Sequence, residues 1–476
     1  MTASRRALVV VLVAGCGDNI KIAPDASSGR ITTGTHLVQH PSVAGGVTAS
    51  GDVVFYDFDE DGHSIAKVIP IAGGDETTIA TSMGTGKPDI RFEIAGNVVF
   101  AWTDRGNRVG TLTIWSRSTG VVAVGPNVRP GRAAATSDGN YVVYERDVTA
   151  TTVNVAMGPI QGPPTIVESD NSADSTCWQT TDLASVGNRL LVRACPGSAT
   201  AFTLRSYAPD GSASTAVSTS ATSAWYGTDR VVYLEGNGAV ASALGDGTGS
   251  ASLASNVAEF GVSDDGTTVF SRGNDGSISS IATDGTGTAR QLVPSGAMML
   301  GAIAPSHASA LYATTLNDLG AGYVQPYTDV KTTSGLVLVP GATSCPSCLI
   351  SSFTSDSRYA LVLDPIDNSE TADGEGPIHV FDLTTGTTVT SFGSTIFDAL
   401  SIDGTRFLFL DAVRDSTQVT GWLYGLTSRG VLADDSTTTI ATGVEALATD
   451  DSGTTVVYSM SENTDDNYAG VWVSPL

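Results

Sequence analysis

The hydrophobic pattern of this chain is a refrain. A few small or apolar residues lead into a turn rich in Gly, Asp or Ser, and a short apolar strand, often ending in an aromatic, follows. VTASGDVVFY begins at Val47, FEIAGNVVF at Phe92, AATSDGNYVVY at Ala134, ASVGNRLLV at Ala184 and WYGTDRVVY at Trp225. GVSDDGTTVF begins at Gly261, IAPSHASALY at Ile303, FTSDSRYALVL at Phe353, ALSIDGTRFLFL at Ala399 and ALATDDSGTTVVY at Ala446. Gly-Asn, Asp-Gly and Ser-Gly pairs supply the positive φ angles of short hairpins, so each unit predicts two antiparallel strands.

Two further short strands complete each unit. The segment from Gly261 to Val293 predicts strands near 258–262, 268–271, 278–282 and 289–293, separated by the turns DDG, GNDG and DGTG. From Val53 to Val456 the strand landmarks recur with a mean period of about 45 residues, and four short strands at that period are the signature of a propeller blade. The small residues of many first strands (Ala133 to Ala135, Ala446, Ala448) suit the crowded inner end of a tapering blade. The predicted fold class is therefore all-β, a β-propeller of about ten four-stranded units over residues 34–476. Two smaller rings or one large ring both accommodate that number, with a slight preference for two because single rings usually hold about four to eight blades. Tandem immunoglobulin-like sandwiches are the competing architecture, but they need about seven strands per hundred residues and a different turn rhythm.

TSDG at Thr136, SDDG at Ser263 and SIDG at Ser401 make the repeats similar to the WD40-like β-propeller repeats of the TolB type, whose consensus places Ser-Pro-Asp-Gly before an apolar strand. The resemblance covers nearly all of residues 34–476 as pattern, and the proline is absent from all three segments. TolB proteins also carry an N-terminal α/β domain for which this sequence has no counterpart, so their role in the Tol–Pal system does not transfer. The final unit shows three strands, ending in YAGVWVSPL, and THLVQH from Thr35 to His40 stands ready to supply its fourth. Such a strand would remove an open sheet edge.

The N-terminus adds an address. Arg5 and Arg6 precede a short apolar run from Ala7 to Ala14, the order of a signal peptide and too short for a membrane span. Leu12-Val13-Ala14-Gly15-Cys16 resembles the lipobox of bacterial lipoproteins. That resemblance implies removal of residues 1–15, a lipidated and acylated Cys16, and, because Asp18 does not directly follow the cysteine, sorting to the outer membrane. Residues 16–33 then read as the lipidated cysteine and a flexible tether, with a reach of roughly 20–25 Å.

Charge follows from the same cut. Loss of two arginines leaves 22 basic against 49 acidic residues, a net of −27. A chain so acidic repels nucleic acid and anionic head groups, so the lipid is its membrane contact and a basic protein or other envelope component its expected partner. The oligomeric state stays open.

Four cysteines remain, and the exported compartment permits disulfides, expected as Cys177–Cys195 and Cys345–Cys348. CPSC at Cys345 has thioredoxin-like spacing, but no helical pattern follows to lower a thiol pKa. The stretch DFDEDGHS from Asp57 offers Asp57, Asp59 and Asp61 as calcium ligands in the manner of a calcium loop. Against that, Val68 stands where the bidentate Glu belongs, so an acidic hairpin turn is the simpler reading. Loops in the equivalent position, DPIDNSETADGEG from Asp364, DAVRDS from Asp411 and SENTDDN from Ser461, would line one face with carboxylates, unless these are only good turn formers. His36 and His40 would lie about 13 Å apart in an extended strand, too far for one zinc ion. The glycine runs at Gly245 and Asp284 open no helix, and no G-x-S-x-G elbow is present. The expected function is a cell-envelope lipoprotein with a non-catalytic propeller scaffold. A calcium- or glycan-binding propeller, or a propeller enzyme with an unrecognised site, are the alternatives.

Overall fold

The computed structural model describes residues 34–475 except 86–89, 107–108, 150–151, 171–182, 195–200, 305–309, 314–329, 334–348, 355, 364–375, 386, 396–399, 402–405, 414–422, 431–436, 451–453 and 461–468. Among the described residues every regular element is a strand. The N-terminal strand β1 (Thr35–Val38) is followed by a first sheet of β2 (Ser42–Val47), β3 (Asp52–Phe58), β4 (His63–Pro70) and β5 (Thr77–Thr85), hydrogen-bonded in that order. The second sheet holds β6 (Arg91–Ala95), β7 (Val98–Gly106), β8 (Val109–Ser116) and β9 (Gly120–Val128). The third holds β10 (Ala133–Ala135), β11 (Tyr141–Arg146), β12 (Val153–Pro159) and β13 (Thr165–Asp170).

Next come β14 (Leu183–Val186), β15 (Arg189–Ala194), β16 (Phe202–Tyr207), β17 (Ser214–Tyr226), β18 (Arg230–Glu235), β19 (Val240–Leu244) and β20 (Ala251–Ala254), joined in one seven-stranded run. A four-stranded sheet of β21 (Val257–Val262), β22 (Thr268–Gly273), β23 (Ile278–Ala282) and β24 (Arg290–Val293) matches the strands predicted for that repeat. Then follow β25 (Met299–Ile303), β26 (Ala310–Ala313) and β27 (Val330–Thr332). The rest forms one extended assembly: β28 (Leu349–Phe353), β29 (Tyr359–Leu363), β30 (Gly376–Asp382), β31 (Thr387–Thr395), β32 (Leu400–Ser401), β33 (Arg406–Val413), β34 (Leu423–Gly430), β35 (Thr437–Thr449), β36 (Thr455–Met460) and β37 (Gly470–Pro475).

The second strand of each unit explains the refrain. In β3, Val53 and Phe55 enter one core while their neighbours Val54 and Tyr56 enter the next. In β7, Val99 and Ala101 face the first sheet, and Val98, Phe100 and Trp102 face the third. Val142 and Tyr144 of β11 split from Val143 in the same way, as do Leu190 and Val192 of β15 from Leu191. Successive side chains of a strand point to opposite faces. A strand sandwiched between two other sheets therefore needs a continuous apolar run where a half-exposed strand would alternate. Runs such as VVFY, VVFAW and YVVY are what sheets stacked face to face require.

Successive sheets thus share cores as far as β26, through Val232 and Val269, then Phe270 and Tyr312, and beyond them β25 lies against β28 and β28 against β32. The succession returns on itself. Ala44, Val53, Phe55 and Ile69 of the first sheet share a core with Val457 and Val471 of the last, and Val38 of β1 joins them. Strand β1 pairs antiparallel with β37, Thr35 opposite Val473, as the missing fourth strand predicted from THLVQH.

One difference from the sequence reading concerns the joints. Strand β17 pairs with β16 through its first half and with β18 through its second, so it serves two units without a break. No Gly or Pro interrupts Ser214 to Tyr226, and nothing stops the ladder from passing on. Strand β35 joins β34 and β36 in the same manner.

Candidate functional site

The acidic stretch from Asp57 forms the tight connection between β3 and β4. The Gly62 N–H donates to the Asp59 carbonyl at 2.9 Å, the Asp59 N–H to the His63 carbonyl at 3.1 Å, and Gly62 takes a φ of 78°. Only a residue without Cβ adopts that angle without strain. The Asp59 carboxylate is bound into its own turn. Oδ1 accepts the Asp61 and His63 N–H groups at 3.0 and 2.8 Å, and Oδ2 lies 2.8 Å from His63 Nδ1. These bonds, the His63 N–H first, hold the Asp59 carboxyl below its ordinary value.

Asp57 turns the other way. It is 7% exposed, and it shares a face of β3 with Phe55 and Val53. Its Oδ1 accepts the Phe58 N–H at 2.8 Å and lies 3.2 Å from His40 Nδ1, while Oδ2 meets Lys67 Nζ at 2.5 Å. Lys67 reaches on to Glu76 Oε2 at 2.9 Å, and Glu76 Oε1 lies 3.2 Å from His40 Nε2. Burial would lower the Lys67 pKa, but the two carboxylates outweigh it and hold the ammonium above its ordinary value. Among the described residues, the His, Cys and acidic side chains whose ligand atoms gather within 4.8 Å of one another are His40, Asp57 and Glu76. Of the three aspartates singled out in the sequence, the structure brings Asp57 into this group. Asp59 serves its turn, and Asp61 contributes its backbone N–H to that turn.

The elements that position the group lie at the seam. His40 belongs to the strap 39–41 that carries the chain from β1, on the last sheet, to β2, in the first. Lys67 stands opposite Phe55 in the ladder, and Glu76 immediately precedes β5. Ser42 Oγ donates to the His40 carbonyl at 2.9 Å and lies 3.1 Å from Nδ1. Ser42 and Asp57 therefore address the same ring nitrogen. A nucleophilic relay needs them on opposite nitrogens, so this Ser, His and Asp do not form a hydrolytic triad. His36 lies flat on Trp472, ring centroids 4.2 Å apart, and bonds the Ala469 carbonyl, a packing role. The three residues that sequence reasoning missed, His40 as a partner of Asp57 together with Lys67 and Glu76, come from separate segments. A lysine inside the apolar strand SIAKVIP was the one signal of a buried counter-charge.

Four other described aspartates are spent on turns. Asp210, Asp246, Asp275 and Asp284 each accept both the N–H and the hydroxyl of the residue two positions on, Ser212, Thr248, Ser277 and Thr286. The hydroxyl first and the N–H second hold all four carboxyls below their ordinary values. A carboxyl whose folded pKa is depressed adds stability above its unfolded pKa and loses it as pH falls through the folded one. The melting temperature should accordingly be level between about pH 7 and 5 and fall progressively below about pH 4, followed by circular dichroism. A protein equally stable at pH 3 would show that the clamps contribute nothing.

Cys16, Cys177, Cys195, Cys345 and Cys348 lie outside the described residues, as do the acidic segments 364–375 and 461–467 and the latter part of DAVRDS. No known protein family matches the chain, and no curated protein matches it in sequence. Among solved structures it is similar to the tricorn protease, at 12% identity over 90% of this chain and 47% of the protease, with a TM-score of 0.32. It thus spans about half the length of that enzyme. It is similar to the dihydro-heme d1 dehydrogenase NirN at 15% identity over 78% and 77% of the two chains, TM-score 0.33. A prolyl endopeptidase gives 11% identity over 84% of this chain and 55% of the enzyme, TM-score 0.38. The class that the stacked antiparallel sheets define is all-β and propeller-like.

Proposed function

We propose that this protein is a cell-envelope lipoprotein whose propeller is a non-catalytic scaffold for a protein or other envelope component. In this reading Cys16 carries the lipid, residues 17–33 tether the domain to the outer membrane, and Cys177–Cys195 and Cys345–Cys348 are disulfides. Ten four-stranded units close into one large ring. The observation that supports a single ring is the core shared by the first and last sheets under a strand donated from the N-terminal side.

The scaffold reading draws on how the polar groups are used. Described turn carboxylates such as Asp210, Asp246, Asp275 and Asp284 serve their own turns, and Ser42, His40 and Asp57 do not form a hydrolytic triad. A net charge of −27 on the mature chain suits a basic surface as partner.

Radiolabelled palmitate should enter the wild-type chain and not Cys16→Ala; label retained by the variant would end the lipoprotein reading. The lipid-free domain, immobilised, should retain an envelope protein or peptidoglycan fragment in a salt-sensitive way, and retention of neither would count against the scaffold. Small-angle scattering from residues 34–476 should return one torus, and two lobes would restore the two-ring arrangement.

A further inference from the structure

We propose that His40, Asp57 and Glu76 bind a divalent transition-metal cation of the Zn2+ kind, which staples the strap between β1 and β2 to the first sheet. The arrangement of oxygens is the starting point. Each carboxylate gives one oxygen to Lys67, Asp57 Oδ2 at 2.5 Å and Glu76 Oε2 at 2.9 Å, and turns the other, Oδ1 or Oε1, toward the His40 ring at 3.2 Å. Lys67 thus draws two like charges together from behind and leaves their other oxygens beside an imidazole, Asp57 Oδ1 while it also accepts the Phe58 N–H. One ammonium does not neutralise two carboxylates, so the group keeps a net negative charge that a divalent cation would offset.

The spacing fits the ion. Ligands about 2.0–2.1 Å from a tetrahedral Zn2+ stand roughly 3.3–3.4 Å from one another. The Glu76 Oε1 to His40 Nε2 separation of 3.2 Å is close to that edge, Asp57 Oδ1 lies 3.2 Å from the other ring nitrogen, Nδ1, and the ligand atoms of the three residues lie within 4.8 Å of one another. Coordination through His40 Nε2 leaves Nδ1 beside Ser42 Oγ, 3.1 Å away. A metal-bound imidazole ordinarily makes such an outer hydrogen bond, which fixes its ring orientation. The His40 side chain is 39% exposed and Asp57 10%, so the cation has a route in and room for a water as fourth ligand. A nitrogen with two carboxylate oxygens is a donor set for zinc-like ions, whereas calcium would ask for six or more oxygens.

The site also has a structural consequence. His40 sits in the strap that links the last sheet to the first, while Asp57 lies on the β3 face whose other residues, Val53 and Phe55, fill the seam core. A bound cation would favour the closed seam over an open one, and would stabilise the chain by mass action.

The test uses the full chain, stripped with a chelator and titrated calorimetrically with ZnCl2, with CaCl2 in parallel, alongside thermal melts. The parent should bind one Zn2+ and melt at a higher temperature with it. His40→Gln and Glu76→Gln should each weaken binding about 10-fold or more and lose the thermal gain. Melts of both variants without metal check that each still folds. Glu76 lies at the exposed start of β5, so its variant carries the test if the strap variant unfolds. Absence of heat with Zn2+, equal affinity in the parent and Glu76→Gln, or a response to Ca2+ matching that to Zn2+ would each overturn the assignment. Zinc held instead by His63 with Asp59, or by the cysteines, would survive both substitutions and count against it.

Discussion

Phe55→Ala should lower the free energy of unfolding by about 3–5 kcal/mol, the usual cost of emptying a fully packed aromatic site. Phe55 has no exposed surface, and its ring lies among Val53, Ile69, Val457 and Val471, residues contributed by the first and last sheets. The walls of the resulting cavity belong to strands hydrogen-bonded into two sheets, so they cannot collapse far to fill it. The neighbouring aromatic Phe58 sits in the same strand but is 43% exposed, and Phe58→Ala should cost within about 0.5 kcal/mol. Denaturant unfolding of the two variants checks the contrast. Equal costs would mean that the seam is not a packed interface. The stability of the fold would then have to come from contacts between successive sheets alone.

That seam marks where the sequence stopped being informative. The apolar runs fixed the strand order and the repeat, because a strand buried on both faces cannot hide its composition: Val53 through Tyr56 could be nothing but a central strand. Turn glycines were equally legible, since Gly62 takes a positive φ where the chain reverses between Asp59 and His63. The meeting of the first and last sheets was not legible in local pattern, because it depends on which distant faces come together. Val457 packs near Val53 for reasons that no local pattern records. The joints at β17 and β35 escaped for the opposite reason. No Gly or Pro marks the joint within β17, and the single Gly443 within β35 does not break the ladder.

The candidate site divides the same way. Asp59 was legible as a turn former, because a side-chain oxygen two residues ahead of a free N–H closes that ring by local geometry alone. Asp57 looked like its equal in the sequence, two positions away. Alternation along the strand sends it to the sheet face instead, and there its partners are set by the register between β3 and β4 and by the path of the strap. Glu76 joins only because β5 begins beside Lys67. A constellation built from four segments has no spacing to read.

Gly470→Ala should loosen the closure strand and expose the last sheet. Gly470 begins β37 with a φ of +125°, an angle whose strain for a residue with a side chain costs on the order of 1–3 kcal/mol. A Cβ there would also lie 2.0 Å from the Val38 carbonyl oxygen and 2.8 Å from that of His40, both backbone atoms that cannot rotate away. The strand β1 must then shift or leave, and with it go the pairing of His36 with Trp472 and the contribution of Val38 to the seam. Gly62→Ala is the matched control. It has a φ of +78° but open space around its Cβ, so it bears the conformational cost without the collision. Gly470→Ala should therefore melt lower than Gly62→Ala and be cut earlier by protease between residues 34 and 41. With β1 gone, the unpaired edge of β37 is free to take a strand from another copy, so the variant should also associate as its concentration rises. If the two variants melt and digest alike, β1 is not what fastens the last sheet, and the first and last sheets would have to be held together by the Phe55 core alone.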